Sequence, residues 1–334
     1  MISDALRESS HEPLVTDVLN SGYHIPVLTL LDGYHAPSFD EAQIQRDARV
    51  IIEELHREGI MCPASLAGDV GLMRSIMVPT SGQELGLALS RIWTYAVLFD
   101  DVFALQADLP FEILGGQLAG GARISPYTKS IDYMFGKISS YCDPEFLGFY
   151  KAYLFNWLQG VILESTFSPD GTDSADTDYI RERSGACEFW YLTLQFSRPF
   201  LRFRQSMPMW ASTMRLMVHF LNDINDVLSF CKEAVNGADF TASSIYRMAV
   251  RHDIPYRDAY RYIAHRGITC YAQILQLADT SQRACLERYM KGFIYWHLNS
   301  DRYMWRQLLV DCERDQARAG GGGPTHSSWV EARN

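Results

Sequence analysis

In the stretch HFLNDINDVLSFCKE, Asn225, Ser229 and Glu233 recur every four residues, so on a helix their side chains line one face of an otherwise apolar segment. Solvated faces are usually built from Lys, Glu and Gln, whereas Asn and Ser are mediocre helix formers, so the stripe calls for a role of its own. Carboxylate, carboxamide and hydroxyl oxygens are hard donors suited to Mg²⁺. That ion binds through a few protein oxygens and completes its shell with phosphate oxygens and water. At about 1.5 Å rise per residue, Asn225 and Ser229 stand about 6 Å apart along the axis and Glu233 about another turn on, within reach of one ion. The chemistry this suggests is binding of a diphosphate.

A second stretch, SRIWTYAVLFDDVFALQ, ends an apolar helix on adjacent acids, Asp100 and Asp101. Buried, they would need cations or hydrogen-bond donors; the competing reading is a helix running out into solvent. Trp93, Ala96 and Val97 stand one and two turns before Asp100 on its own face. Met214, Val218 and Leu221 precede Asn225 in the same way. Both helices therefore present an apolar wall that turns polar toward the C-terminal end.

The rest of the chain must position these two helices. Its 334 residues, 47% hydrophobic and 21% charged, supply material for one large or two ordinary globular domains. A net charge of -10 without a basic run argues against a nucleic-acid surface. The opening MISDALRESSHEPLV has no basic segment leading into an apolar block, and no stretch offers 18 uncharged apolar residues, so we expect no membrane span and a cytoplasmic protein. Seven scattered cysteines without a CxxC pair speak against zinc and a disulfide framework. The histidines form no HExxH or other metal-binding spacing, and no GxSxG elbow supports a hydrolase triad. The glycines at 115, 116, 120 and 121 lack the context of a nucleotide loop. FSRPFLRFRQ reads as a helix end with solvated arginines.

Helical spacing dominates and strand-type alternation is nearly missing, which predicts an all-α protein. Helices are expected over 39–58, 82–107, 126–140, 144–166, 177–202, 208–235, 240–251, 255–277 and 280–315. Pro110 with the glycines after it, SPDGTDSADTD, Pro208, NGAD and Pro255 are expected to interrupt them. No composition shift marks a boundary, so we expect one domain over 1–317, followed by a Gly-rich tail over 318–334.

The segment from Asn225 to Glu233, NDVLSFCKE, resembles the [ND]-D-[LIV]-x-[ST]-x-x-x-E pattern of class I terpene synthases, and a register starting at Asn222 or Asp223 fails it. FDD at 99–101 resembles the start of that family's aspartate-rich motif. Arg302 and Tyr303 resemble its Arg-Tyr pair, and YIRERSGACEF resembles its sensor segment, with Arg181 as sensor, Ser184 as linker and Gly185 as effector. The chain length, NDVLSFCKE and DRY are similar to trichodiene synthase and other fungal sesquiterpene cyclases. One departure is the acid usually found shortly after the second Asp, where this chain has Ala104 and Leu105. The metal role then passes to Asp100, with Asp101 as a supporting acceptor.

The resemblance implies a single-domain helical bundle around a central cavity. It implies three Mg²⁺ ions on Asp100, Asn225, Ser229 and Glu233, and diphosphate held by Arg181, Lys232, Arg302 and Tyr303. Farnesyl diphosphate is the implied substrate, and an antiparallel homodimer is compatible with the family. Trp93, Val97, Phe220, Leu221 and Trp296 are expected around the hydrocarbon, where aromatic faces stabilise positive charge; core packing is the competing reading for Trp296. A chain-elongating prenyltransferase and a catalytically silent helical binding protein remain alternatives to a cyclase. Elongating enzymes normally carry aspartate-rich motifs on both metal-binding helices.

Overall fold

A computed structural model describes residues 12–80, 82–103, 106, 108–122, 125–166, 177–236, 240–305 and 308. Among these residues there is no strand, and no helix is long and apolar enough to cross a membrane. The Gly-rich tail and the boundary expected after residue 317 lie outside the described residues.

Fourteen α-helices occur among the described residues. They are α1 (Glu12–Asn20), α2 (Ile25–Leu28), α3 (Glu41–Arg57), α4 (Ala64–Met77), α5 (Gln83–Phe103), α6 (Leu109–Leu118) and α7 (Pro126–Ile138). After them come α8 (Pro144–Thr166), α9 (Thr177–Ser184), α10 (Cys187–Leu192), α11 (Phe203–Asn236), α12 (Ser244–His252), α13 (Tyr256–Leu277) and α14 (Thr280–Asn299), with a 3-10 turn over Asp301–Tyr303. Side-chain caps fix several starts: Asp40 accepts from the Gln43 N–H, Ser243 from Tyr246, and Asp279 forms a reciprocal capping box with Gln282.

The long α11 is the spine. It lies along α13 and also meets α10 and α14, while α4 is clasped by α3, α5 and α14, and α8 supports α9 and α10. The segments α4, α5, α8, α9, α10, α11 and α14 surround a central cavity, which the Asp301–Tyr303 turn and the start of α12 complete.

Several expectations need correction, among them the helix expected over 280–315, which ends at Asn299 and gives way to the Asp301–Tyr303 turn. The helix α4 was not expected: ten of its fourteen residues are buried, so it shows no amphipathic period. Prolines read as stops instead sit inside helices. Pro110 occupies the first turn of α6, where a missing N–H costs nothing, and Pro208 occupies the second turn of α11, where it removes one hydrogen bond from a helix that runs on past it. The helix expected over 177–202 is broken at Gly185 and Ala186, where Ala186 takes a left-handed φ of 55°, and its continuation is α10 and a 3-10 turn over Thr193–Phe196. The arginines at 198, 202 and 204 are exposed around the start of α11, as solvated helix-end residues would be.

The close seating of α9 on α8 depends on Gly160, because a Cβ there would come within 2.4 Å of the Arg183 carbonyl carbon and oxygen. Gly160→Ala should destabilise the protein by about 1–3 kcal/mol. Gly148→Ala on the same helix, with nothing within 4 Å of its Cβ, should be neutral or stabilising by up to about 1 kcal/mol. Urea unfolding of the two variants checks the contrast.

Candidate active site

The cavity measures about 590 Å³. Trp93, Ala96 and Val97 bring α5 to its wall and Leu221 brings α11; Met73, Met77, Trp157 and Trp190 join them from α4, α8 and α10. Trp93 is fully buried. Its Nε1–H donates to Thr193 Oγ1 at 3.1 Å, and its ring meets Trp190 edge to face at 5.2 Å. Trp296 also lines the cavity, while its Nε1–H donates to the Asp69 carbonyl at 3.1 Å, so it serves wall and core together. Phe220 does not line it. One residue before Leu221, it is rotated by about 100° around α11 and packs toward Tyr271 on α13.

The polar end of the same cavity gathers Asp100, Asp101, Arg181, Ser184, Gly185, Asn225, Lys232, Glu233, Arg302 and Tyr303. Asp100 is open to the cavity yet crowded by protein; burial and the neighbouring Asp101 push its carboxyl up to about 6, against the pull of Arg302. Arg302 holds Asp101 in a two-armed pair at 2.8 and 3.2 Å. Lys232 Nζ lies 5.7 Å over the ring of Tyr303.

On α11, the fully buried Ser229 hydroxyl donates to Glu233 Oε1 at 2.5 Å and is not itself part of the cavity lining. Glu233 Oε2 is buried with no hydrogen-bond partner among the described residues. Burial, reinforced by Asp226, pushes this carboxyl up to about 7. Asn225 faces two ways: its Nδ2 lies 3.2 Å from His297 Nε2, and its Oδ1 accepts from Arg181 Nη2 at 3.3 Å. Burial pushes the imidazole of His297 down to about 3, so the ring is neutral.

Several members of the site escaped the sequence reading. Asp226, fully buried, accepts from Arg181 Nη2 at 2.5 Å and from the Ser244 N–H at the start of α12 at 2.7 Å. Asn222 pins the break after α9: its Nδ2 donates to the Arg181 carbonyl at 3.1 Å and its Oδ1 accepts from Cys187 Sγ at 3.2 Å. Gly185 is obligatory beside it, since a Cβ would lie 1.9 Å from Asn222 Oδ1. Glu164 on α8 accepts from Ser184 Oγ at 3.1 Å and from Arg247 Nη2 at 2.9 Å, and both Glu164 and Arg247 line the cavity. Of Asp226, Asn222, Glu164 and Arg247, only Asp226 had an early signal, its place inside the nine-residue motif.

Among the described residues no group of three or more His, Cys, Asp or Glu side chains is gathered as a metal site. The donors present are of another kind, a carboxylate with a carboxamide and a hydroxyl on α11 and a carboxylate on α5. Such a set suits an ion that keeps water and phosphate oxygens in its shell. The unpartnered Glu233 Oε2 and the cavity-facing carboxyl of Asp100 fit Mg²⁺.

The raised carboxyl of Glu233 has a consequence for stability. In the unfolded chain it ionises near its ordinary value of 4.5, in the folded protein near 7, so between these limits the folded state holds a proton that the unfolded state has shed. In chelator, Glu233 should therefore contribute a loss of thermal stability on the order of a few degrees as pH rises from about 4.5 to 7. Glu233→Gln should flatten that slope; parallel melting curves for the two proteins across the range would rule Glu233 out as its source.

No protein-family model matches the sequence, and no curated protein matches it. Solved structures do resemble its fold. The crystal structure of a-eudesmol synthase is similar at 16% identity with a TM-score of 0.60, over 79% of this chain and 97% of that one. Linalool/nerolidol synthase from Streptomyces clavuligerus, in complex with 2-fluorogeranyl diphosphate, is similar at 14% identity and a TM-score of 0.65, over 80% and 98%. Germacradien-4-ol synthase from Streptomyces citricolor is similar at 18% identity and a TM-score of 0.56, over 80% and 94%. The chain has the all-α fold of the class I terpene synthases, a helical bundle around a central cavity.

Proposed function

We propose that the protein is a Mg²⁺-dependent sesquiterpene cyclase. It would ionise farnesyl diphosphate, cyclise the allylic cation to a hydrocarbon or alcohol, and release diphosphate. The observation that carries this reading is a cavity in which an aromatic and aliphatic wall runs into a rim bearing Asp100, Asn225, Glu233, Arg181, Lys232, Arg302 and Tyr303. Its volume of about 590 Å³ falls within the usual range of small-molecule sites. The similarity to the S. clavuligerus enzyme, whose structure holds a fluorinated prenyl diphosphate, supports a prenyl diphosphate here. The likeness of NDVLSFCKE and DRY to fungal sesquiterpene cyclases favours the fifteen-carbon chain.

Asp100, Asn225, Ser229 and Glu233 would hold the magnesium, which when bound neutralises the diphosphate and makes it a better leaving group. Arg181, Lys232, Arg302 and the Tyr303 hydroxyl would donate to the diphosphate oxygens. Arg181 can do so without leaving Asp226, because that contact and the one to Asn225 occupy only its Nε and Nη2. The C–O bond breaks with its electron pair going to the diphosphate. The remaining cation meets Trp93 and Trp190, whose ring faces stabilise positive charge. No side-chain nucleophile is required. The one thiol on the lining among the described residues, Cys187, is buried and held in its neutral form, with its pKa raised well above the ordinary value.

Incubation of the purified protein with farnesyl diphosphate, with and without Mg²⁺, followed by gas chromatography and mass spectrometry, tests the proposal. The expected result is a fifteen-carbon cyclic product that appears only with Mg²⁺. A longer prenyl chain formed only with added isopentenyl diphosphate would make the protein an elongating prenyltransferase. Absence of any product from ten-, fifteen- and twenty-carbon diphosphates, with folded protein, would overturn the enzymatic reading. Asn225→Ala should lower turnover by about 100-fold or more while the protein still folds, with the melting temperature reduced by a few degrees at most (about 1–3 kcal/mol) for the hydrogen bond lost at His297.

A further inference from the structure

The ring of His297 is fully buried and clamped among Tyr303, Phe293 and Trp296, whose centroids lie 4.2, 4.3 and 4.8 Å away. Its Nδ1 lies 2.8 Å from the Phe293 carbonyl oxygen, one turn back on α14. A carbonyl only accepts, so Nδ1 carries a ring hydrogen; Arg181 Nη2, which can only donate, faces Asn225 Oδ1 and so leaves the amide NH₂ toward Nε2, which makes Nε2 the acceptor. Asn225 Nδ2, 3.2 Å away, must be the donor to it. With the amide NH₂ turned to His297, Oδ1 is turned the other way, where Arg181 Nη2 meets it at 3.3 Å. The two assignments support each other, although α11 and α14 are 72 residues apart at this contact.

We infer that His297 is a positioning residue: it fixes the amide of Asn225 with the oxygen presented to the cavity, and it makes this site select a carboxamide over a carboxylate at position 225. The inference rests on the metal-binding role proposed for Asn225. Without an acceptor at His297, only the 3.3 Å contact from Arg181 Nη2 would hold the amide oxygen in place, and the flipped amide presents NH₂ to the cation. A carboxylate at 225 has no wrong orientation, but it sets an oxygen lone pair against the lone pair of Nε2. Relieving that clash takes a hydrogen on Nε2: shifted there from Nδ1 it leaves the Phe293 carbonyl opposite a bare nitrogen, and added as a second proton it puts a charged imidazolium inside a fully buried aromatic clamp. A merely structural histidine would be indifferent to whether residue 225 is Asn or Asp.

The test uses four full-length proteins: wild type, His297→Phe, Asn225→Asp and the double variant. Mn²⁺ binding in the presence of inorganic diphosphate is followed by electron paramagnetic resonance, with melting curves to verify folding. His297→Phe should weaken Mn²⁺ binding tenfold or more when residue 225 is Asn, and leave it unchanged or strengthen it when residue 225 is Asp, a non-additivity expected of contacting groups. Equal weakening in both backgrounds, or none in the wild-type background, would overturn the inference. A folded wild type that binds no Mn²⁺ would instead overturn the metal site itself. Should His297→Phe fail to fold, the ¹⁵N shifts of the His297 ring in wild type decide: protonation at Nδ1 alone is expected, and a hydrogen on Nε2 would contradict the assignment.

Discussion

The carboxylate of Asp226 sits in the protein interior with no solvent contact, and the polar end of the cavity depends on how that charge is held. A buried carboxylate without partners is strongly unfavourable. Here Arg181 reaches it from α9, and the first N–H of α12 adds a hydrogen bond from a helix end that favours negative charge. The one group therefore fixes α9 and α12 on the spine α11. It also sets the rotation of α11, which places Asn225 beside Arg181 and Glu233 about two turns farther along.

The arginines at the rim are already paired with acids, while Lys232 lies over the ring of Tyr303. Arg302 holds Asp101, Arg181 holds Asp226, and Arg247 holds Glu164, which also accepts from Ser184. This arrangement keeps positive side chains fixed at the rim without an excess of like charge, so that donors are oriented before any ligand arrives. What stays unbalanced is acidic: Glu233 with one oxygen unpartnered, and Asp100 raised by its neighbour Asp101. A divalent cation meets that imbalance directly.

Much of this was legible in the sequence because it is local. The four-residue stripe of Asn225, Ser229 and Glu233 and the acids ending α5 need only helical periodicity to be recognised, and the all-α fold follows from the same signal. What escaped was non-local or lacked a period. The helix α4 is buried nearly all around, so its pattern has no polar face to mark it. Pro110 and Pro208 read as stops because chain position alone does not tell an early helical turn from a late one. Phe220 was misplaced by a single residue, which on a helix is enough to turn a side chain from the cavity into the core. Glu164, Arg247 and His297 owe their roles to partners 20 to 83 residues away in the chain, and no local pattern announces them.

A cyclase built this way must bind metal and diphosphate together at the polar end of its cavity. An anomalous difference map from crystals grown with Mn²⁺ and inorganic diphosphate is the most direct measurement. Peaks are expected within coordination distance of Asn225, Ser229 and Glu233 and beside Asp100, with diphosphate between them and Arg302, Lys232 and Arg181 turned onto its oxygens. Diphosphate bound elsewhere, or an ordered site with no anomalous peak at either helix, would contradict that requirement.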